Sequence, residues 1–255
     1  MIKLTFLGTG TSQGVPMIGC DCEVCRSEDP RDKRLRSSVM VEDEATRIVI
    51  DAGPDFRYQM LREGVKDIDA ILLSHQHTDH IMGLDDVRAF NYFCQKSIEV
   101  WATESVGEVV RKNFDYAFAA NPYPGAPRIT LRRMESTSFR VGTLEIIPIA
   151  GRHFTLPVTG FRIGPVAYLT DFNHIEAEEI EKLRGVELFV VNALRHQRHI
   201  SHFSLPEALE VAERVGAKST YLTHISHQMG FHAEEEPLLP EGVRFAYDGL
   251  KIVIP

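Results

Sequence analysis

Residues 74–80 contain four candidate metal ligands, His75, His77, Asp79 and His80, directly after an apolar run that predicts a buried strand. In an extended segment His75 and His77 project to the same side, because side chains two residues apart share one face of a strand. Asp79 and His80 follow at the next turn, close enough to serve a second ion. Neutral imidazole and carboxylate suit Zn, Mn or Fe. The alternative is a polar loop with scattered histidines, but the spacing and the strand-end position favour a metal site.

Three more candidate ligands follow later predicted strands: His153, Asp171 and His224. A single His or Asp after a strand is commonly a cap or a turn residue, so none of the three is informative alone. Their recurrence after strands, together with the histidine cluster at residues 75–80, raises the expectation that they are ligands too.

Three of the four cysteines, Cys20, Cys22 and Cys25, lie within six residues of one another. Such close spacing in a protein expected to be cytosolic favours metal binding over disulfides. The alternative is a loop with three free cysteines.

Length and composition exclude some classes of protein. The 255 residues are 44% hydrophobic and 25% charged, as in ordinary globular proteins, and one domain over residues 1–255 is the simplest interpretation. The net charge of −8 gives no general attraction to nucleic acid or to an anionic membrane. An apolar run of transmembrane length and a secretory signal are both absent from the sequence, so a cytoplasmic location is expected.

Periodicity and turn signals predict a layered α/β protein. The predicted strands are 2–7, 38–42, 46–51, 69–73, 98–102, 129–133, 144–149, 158–163, 166–170, 188–192 and 218–223. The predicted helices are 54–62, 83–93, 104–116, 176–184 and 205–215. Residues 244–254 read as a hairpin that turns at Asp248-Gly249. Two mixed sheets packed together, with helices outside, would accommodate this order of elements.

The pattern His75-x-His77-x-Asp79-His80, followed by one His, one Asp and one His, resembles the metallo-β-lactamase superfamily. The resemblance implies a four-layer αββα sandwich with the site at one edge. It implies a first metal held by His75, His77 and His153. It also implies a second metal held by Asp79, His80 and His224, and a bridging ligand, Asp171.

A finer motif joins the N-terminal loop to a late segment: Gln13-Gly14-Val15-Pro16-x-x-Gly19-Cys20-x-Cys22-x-x-Cys25 and Leu222-Thr223-His224-Ile225-Ser226-His227-Gln228. With Asp51-Ala52-Gly53, these segments resemble the PhnP family of phosphodiesterases. The resemblance implies a structural zinc at an N-terminal loop of about residues 14–27, bound by Cys20, Cys22, Cys25 and His227. A Cys₃His set is a closed tetrahedral site with no open position for chemistry.

His202 resembles the PhnP histidine proposed to act as general acid near the phosphate. The alternative is a residue that merely flanks a helix, because Ser204 is a good cap for the helix that follows. The neighbouring segment 195–199 is locally basic, which is compatible with phosphate attraction or with a solvated loop.

The resemblance implies hydrolysis of a small phosphodiester, expected to be cyclic, such as a ribose cyclic phosphate or a 2′,3′-cyclic nucleotide. Two divalent ions, Zn or Mn, would activate water, Asp79 would orient it and His202 would protonate the leaving oxygen. Alternatives are a tRNA 3′-processing endonuclease, a β-lactam or thioester hydrolase, and a non-catalytic PqqB-type binding protein. No membrane and no bulk nucleic acid are expected as partners, and a homodimer stays open.

Overall fold

Two mixed seven-stranded sheets form the centre of the protein in a computed structural model that describes residues 1–255. The first sheet has the spatial order β14 (Lys251–Ile254), β1 (Ile2–Gly8), β2 (Ser38–Glu42), β3 (Arg47–Ile50), β4 (Ala70–Leu72), β5 (Ile98–Ala102) and β6 (Ile129–Arg133). The second has the order β13 (Val243–Phe245), β12 (Ser219–Thr223), β11 (Leu188–Asn192), β10 (Val166–Leu169), β9 (Leu156–Ile163), β8 (Leu144–His153) and β7 (Phe139–Val141).

Eight α-helices accompany the sheets: α1 (Glu23–Arg26), α2 (Phe56–Arg62), α3 (Thr78–Ile81), α4 (Arg88–Cys94), α5 (Glu104–Asn113), α6 (Ala177–Glu181), α7 (Leu205–Val215) and α8 (His232–Glu235). The longest, α7, begins with the expected cap, since Ser204 and Glu207 form a capping box, and it ends at Gly216 with φ 66°. No helix combines the length and the apolar character needed to cross a membrane.

Three apolar clusters account for the layers. Side chains of both sheets, such as Phe6 of β1 and Phe161 of β9, pack against each other in the central cluster. A second cluster lies between the first sheet and α2, α4 and α5, and a third between the second sheet and α6 and α7. Burial of both faces of each sheet produces the predicted αββα sandwich.

The carboxyl ends of the parallel strands lie at one common edge of the two sheets. Strands β3 to β6 are parallel in the first sheet, and β10 to β13 are parallel in the second. Ligands of α/β proteins bind beyond the carboxyl ends of such strands. This arrangement places the residues that follow β3, β4, β10 and β12 at a common rim.

The predicted C-terminal hairpin is wrong. Strand β13 pairs in parallel with β12 in the second sheet, whereas β14 pairs antiparallel with β1 in the first. Asp248 instead accepts hydrogen bonds from the Thr9 backbone N–H and hydroxyl and from the Leu35 N–H. The Asp-Gly pair therefore marks a turn correctly, but the turn carries the chain from one sheet to the other.

Candidate metal centre

Three residues of the candidate centre have a left-handed backbone directly after or one residue beyond a strand. Asp51 follows β3 with φ 64°, Asp171 follows β10 with φ 63° and His224 follows β12 with φ 57°. Non-glycine residues rarely adopt positive φ, and strained backbone of this kind concentrates at functional sites. At all three positions the chain turns at the end of a strand and the residue is buried.

One group of ligand atoms belongs to His75, His77 and His153, whose candidate atoms all lie within 4.8 Å of one another. His75 Nε2 and His77 Nδ1 are 3.0 Å apart. His153 reaches them from the end of the β8–β9 hairpin, where it pairs with Leu156. The structure therefore brings together the three residues expected at the first metal.

A second group surrounds Asp171. Its Oδ2 lies 3.3 Å from His80 Nε2 and 3.2 Å from His224 Nδ1. Asp79 Oδ2 is 3.1 Å from the same His80 nitrogen. The short helix α3, rather than a simple turn, carries Asp79 and His80. Together with His75, His77 and His153, these side chains place all seven residues expected from sequence in one cluster.

The charges of the cluster depend on one another. Burial would lower the pKa of His80, but the carboxylates of Asp171, Asp51 and Asp79 outweigh it and raise that pKa well above its ordinary value. Burial would raise the pKa of Asp171, yet the nearby His224 and His80 hold it well below its usual range. Ionised carboxylates next to imidazoles are the donor set that divalent transition metals prefer.

One buried atom supports the fit to a metal. His80 Nε2 is fully buried and has no hydrogen-bond partner, although two carboxylates lie within 3.3 Å. A buried polar atom without a partner costs free energy unless some other group satisfies it. A divalent ion between this nitrogen and the carboxylates of Asp79 and Asp171 would do so, and the residues therefore fit a metal.

Hydrogen bonds behind the ligands fix their orientation. Asp51 Oδ2 lies 2.7 Å from His80 Nδ1 and accepts the Ser74 hydroxyl, while its Oδ1 accepts the Ser74 N–H. His153 Nδ1 donates to the Ser201 carbonyl oxygen at 2.8 Å. Ligating histidines usually donate their second nitrogen to such a partner, which sets the tautomer.

Asp51 was missed as a functional residue, because it entered only as part of the Asp51-Ala52-Gly53 motif. The signal available in the sequence was a carboxylate directly after a buried strand. Gly53 explains the rest of the motif: a Cβ there would lie 1.9 Å from the Asp79 carbonyl oxygen. Only glycine allows the loop after β3 to pack this closely against α3.

His202 lies inside the cluster instead of merely flanking α7. Its ring centroid is 4.6 Å from that of His153 and 4.7 Å from that of His224. Its Nδ1 is buried without a hydrogen-bond partner and lies 3.7 Å from Asp171 Oδ1. Burial, followed by the nearby His224, lowers the pKa of His202 to about 2, so the free protein holds a neutral imidazole.

The cysteine loop meets His227 as the sequence leads one to expect. His227 Nδ1 lies 3.3 Å from Cys20 Sγ, 3.2 Å from Cys22 Sγ and 3.6 Å from Cys25 Sγ. Zinc bonds of ordinary length at the tetrahedral angle give a sulfur–nitrogen separation of about 3.6 Å. Burial would raise the pKa of Cys22, but the Cys25 N–H and His227 lower it to about 6. These four residues fit a structural zinc.

The basic segment 195–199 is paired within the protein. The Arg195 guanidinium donates to the Gln228 side chain at 2.7 Å and to the carbonyl oxygens of residues 197 and 198. His196 lies 3.0 Å from Glu235, and Arg198 lies 3.1 Å from Glu207. The contact between Arg195 and Gln228 ties this segment to the loop that carries His227, and the contacts to Glu235 and Glu207 tie it to α8 and α7.

The sequence also matches a known superfamily. A family model described as "Beta-lactamase superfamily domain" matches residues 46–225, which include all seven residues of the candidate centre. The chain therefore belongs to the beta-lactamase superfamily.

Within this superfamily the chain belongs to the PhnP family. Its sequence is 42% identical to that of a protein whose solved structure is described as a new diphosphatase from the PhnP family. The alignment covers 100% of this chain and 98% of that one, with a TM-score of 0.93. The expected family is therefore confirmed.

Two curated relatives extend the comparison. An octanoyltransferase of Porphyromonas gingivalis strain W83 is 40% identical over an alignment of 256 positions, which covers 99% of this chain but 52% of that protein. The chain thus spans about half the length of this relative, whose name describes the whole longer protein. Coenzyme PQQ synthesis protein B of Methylococcus capsulatus is 24% identical, with 97% of this chain and 98% of that protein covered.

Proposed function

We propose that the protein is a dinuclear-metal phosphodiesterase that hydrolyses a small phosphodiester, and we expect this diester to be cyclic. The observation that carries the proposal is the position of Asp171 between the two ligand sets. Its Oδ2 lies within 3.3 Å of nitrogens of His80 and His224, and its carboxylate lies within 4.8 Å of ring nitrogens of His75 and His153. A carboxylate oxygen shared in this way suits a bridge between two ions. Membership of the PhnP family supports the same chemistry.

The first ion would be held by His75, His77 and His153, the second by Asp79, His80 and His224, with Asp171 between them. Two divalent ions, Zn or Mn, would supply Lewis acidity for the phosphoryl oxygens and would activate water near neutral pH. A third ion, zinc, would be held by Cys20, Cys22, Cys25 and His227. Its role would be structural, because these four residues would fill all the positions of a closed tetrahedral site.

The protein's own groups complete the reaction. Asp79 has a low pKa, since the His80 charge overcomes the effect of burial, and its carboxylate can orient the attacking water. His202 lies beside Asp171, with its Nδ1 3.7 Å from Asp171 Oδ1. An anionic phosphate bound against His202 would offset the burial that keeps it neutral, and the imidazole would then donate a proton to the leaving oxygen.

A diphosphate substrate is the second candidate, because the 42%-identical PhnP-family structure is that of a diphosphatase. Both reactions place negative phosphoryl oxygens at the same ions. They differ in the leaving group, which is an alcohol for a diester and a phosphate for a diphosphate. A substrate panel containing both types therefore separates them.

The test uses the metal-loaded protein, metal analysis and bis-p-nitrophenyl phosphate as a chromogenic diester. Replacing Asp171 or His80 by Ala should reduce metal content and abolish metal-dependent hydrolysis. His174→Ala is the matched control, because His174 lies three residues from Asp171, is exposed and pairs with Glu176. Unchanged turnover in the Asp171 and His80 variants would refute the proposal.

A further inference from the structure

Two large apolar side chains stand exposed on segments next to His153 and His202 of the candidate centre. Phe154 is 53% exposed and Ile200 is 66% exposed. Asn173 holds both segments, because its Oδ1 accepts the Phe154 N–H at 2.9 Å and its Nδ2 donates to the Ile200 carbonyl at 2.8 Å. The two apolar residues are therefore presented from fixed backbone, and we refer to Phe154, Asn173 and Ile200 as the apolar rim.

The apolar rim belongs to one side of the centre. Phe154 directly follows His153, and Ile200 precedes His202 by two residues. Since the rings of His153 and His202 are 4.6 Å apart, the rim lies on the His202 side. A cavity of about 400 Å³ opens beside Ile200, lined by Asn173, Arg198, His199, Ile200 and Glu207.

The fold gives no reason for phenylalanine at position 154. The residue lies in the two-residue turn between β8 and β9 with φ 58°, a conformation that glycine adopts freely and bulky residues avoid. Its ring is half exposed and is not part of any apolar cluster of the core. The position thus combines backbone strain with an exposed aromatic ring beside reactive groups, a combination that points to ligand contact.

We propose that the apolar rim is a subsite for a planar ring on the organic group attached to the leaving oxygen. Phe154 would stack against the ring and Ile200 would contact its edge, while the phosphate lies at the metals. The reaction itself rests on the proposed function. The inference narrows the substrate class to base-bearing diesters, such as nucleoside 2′,3′-cyclic phosphates, in preference to base-free ribose cyclic phosphates.

The experiment compares Phe154→Gly with the wild-type metal-loaded enzyme on adenosine 2′,3′-cyclic phosphate and on base-free ribose 2,3-cyclic phosphate. Loss of one stacking contact should raise KM for the nucleotide about five- to 150-fold and leave KM for the base-free substrate unchanged. The Tm should stay equal or rise, because glycine relieves the strained backbone. Phe154→Tyr keeps the ring and should retain the wild-type KM. Equal effects on both substrates would overturn the subsite, since they would indicate a purely structural turn.

Binding without turnover separates this inference from the proposed reaction. Calorimetry should show that Phe154→Gly weakens binding of adenosine 5′-monophosphate, with ribose 5-phosphate as the base-free control. If the wild type hydrolyses neither diester but this difference appears, the proposed reaction fails and the subsite stands. Equal affinity of wild type and variant for the nucleotide would refute the subsite even in an active enzyme.

Discussion

Replacing Asp51 by Asn should weaken the metal centre although Asp51 belongs to neither expected ligand set. Asp51 Oδ2 accepts from the Ser74 hydroxyl and lies 2.7 Å from His80 Nδ1, while Oδ1 accepts the Ser74 N–H. In the Asn variant, the amide oxygen can still accept the hydrogen bond from the Ser74 N–H. The NH₂ group of the amide then faces His80 Nδ1. Two donors cannot pair, so His80 would carry its proton on Nε2, the nitrogen that must face the metal.

The expected loss is large because the contact is fully buried. Asp51 and His80 both have 0% exposed side chains. Loss of such an outer partner typically lowers metal affinity about 10- to 100-fold. This corresponds to about 1.4–2.7 kcal/mol, in line with about 1.5–3 kcal/mol for a hydrogen bond to a charged group.

The assay is a competition titration of the protein against a chromophoric chelator, with diester hydrolysis measured in parallel. Asp248→Asn is the matched control, because Asp248 is 8% exposed and accepts hydrogen bonds from Thr9 and Leu35, neither of which is a candidate ligand. The control should lower the free energy of unfolding and leave metal affinity unchanged. Wild-type affinity in the Asp51→Asn protein would refute the reasoning about the tautomer.

Two further predictions concern the rest of the chain. Burial and then the Arg34 charge lower the pKa of His232 from 6.5 to about 4, so the folded state binds this proton more weakly than the unfolded state. The contribution of this group to the free energy of unfolding is complete above pH 6.5, and about 3 kcal/mol of it should be lost as the pH falls to 4. Denaturant titrations at several pH values measure this dependence of stability on pH. The His232→Gln variant should show a weaker dependence. Cys25→Ser should remove one zinc per chain by metal analysis and lower the Tm, whereas Cys94→Ser should change neither. A wild-type zinc content in the Cys25 variant would contradict the structural site.

The seven candidate ligands could be predicted because their residue types, their spacing and their positions after predicted strands can be read from short stretches of sequence. His75 and His77 lie two residues apart in the segment that follows β4, and Asp79 and His80 follow within one turn, so short spacing alone groups them. His153, Asp171 and His224 needed the rule that functional residues gather at strand ends. Most strands were also predictable, since alternation and β-branched residues are local signals.

Long-range pairing explains most of what the sequence did not reveal. Residues 244–254 contain two strands and a turn, but the partner of each strand, β12 or β1, is chosen by contacts more than 20 residues away. The β8 strand runs four residues beyond its predicted end, because the hairpin with β9 continues its ladder to His153. A local pattern contains no information on such a ladder.

Backbone conformation explains the remaining difference at the site. Asp51, Asp171 and His224 adopt positive φ, a conformation that the residue types themselves disfavour. The backbone conformations that these residue types prefer would continue each strand or begin a helix. Either conformation would change the direction of the side chain. The left-handed turn is held by the tertiary contacts these side chains make, as when Asp51 bonds Ser74 and His80. The contacts within the candidate centre therefore stabilise the strained backbone that positions its side chains. Because these contacts are tertiary, the backbone conformation could be observed only in the folded structure.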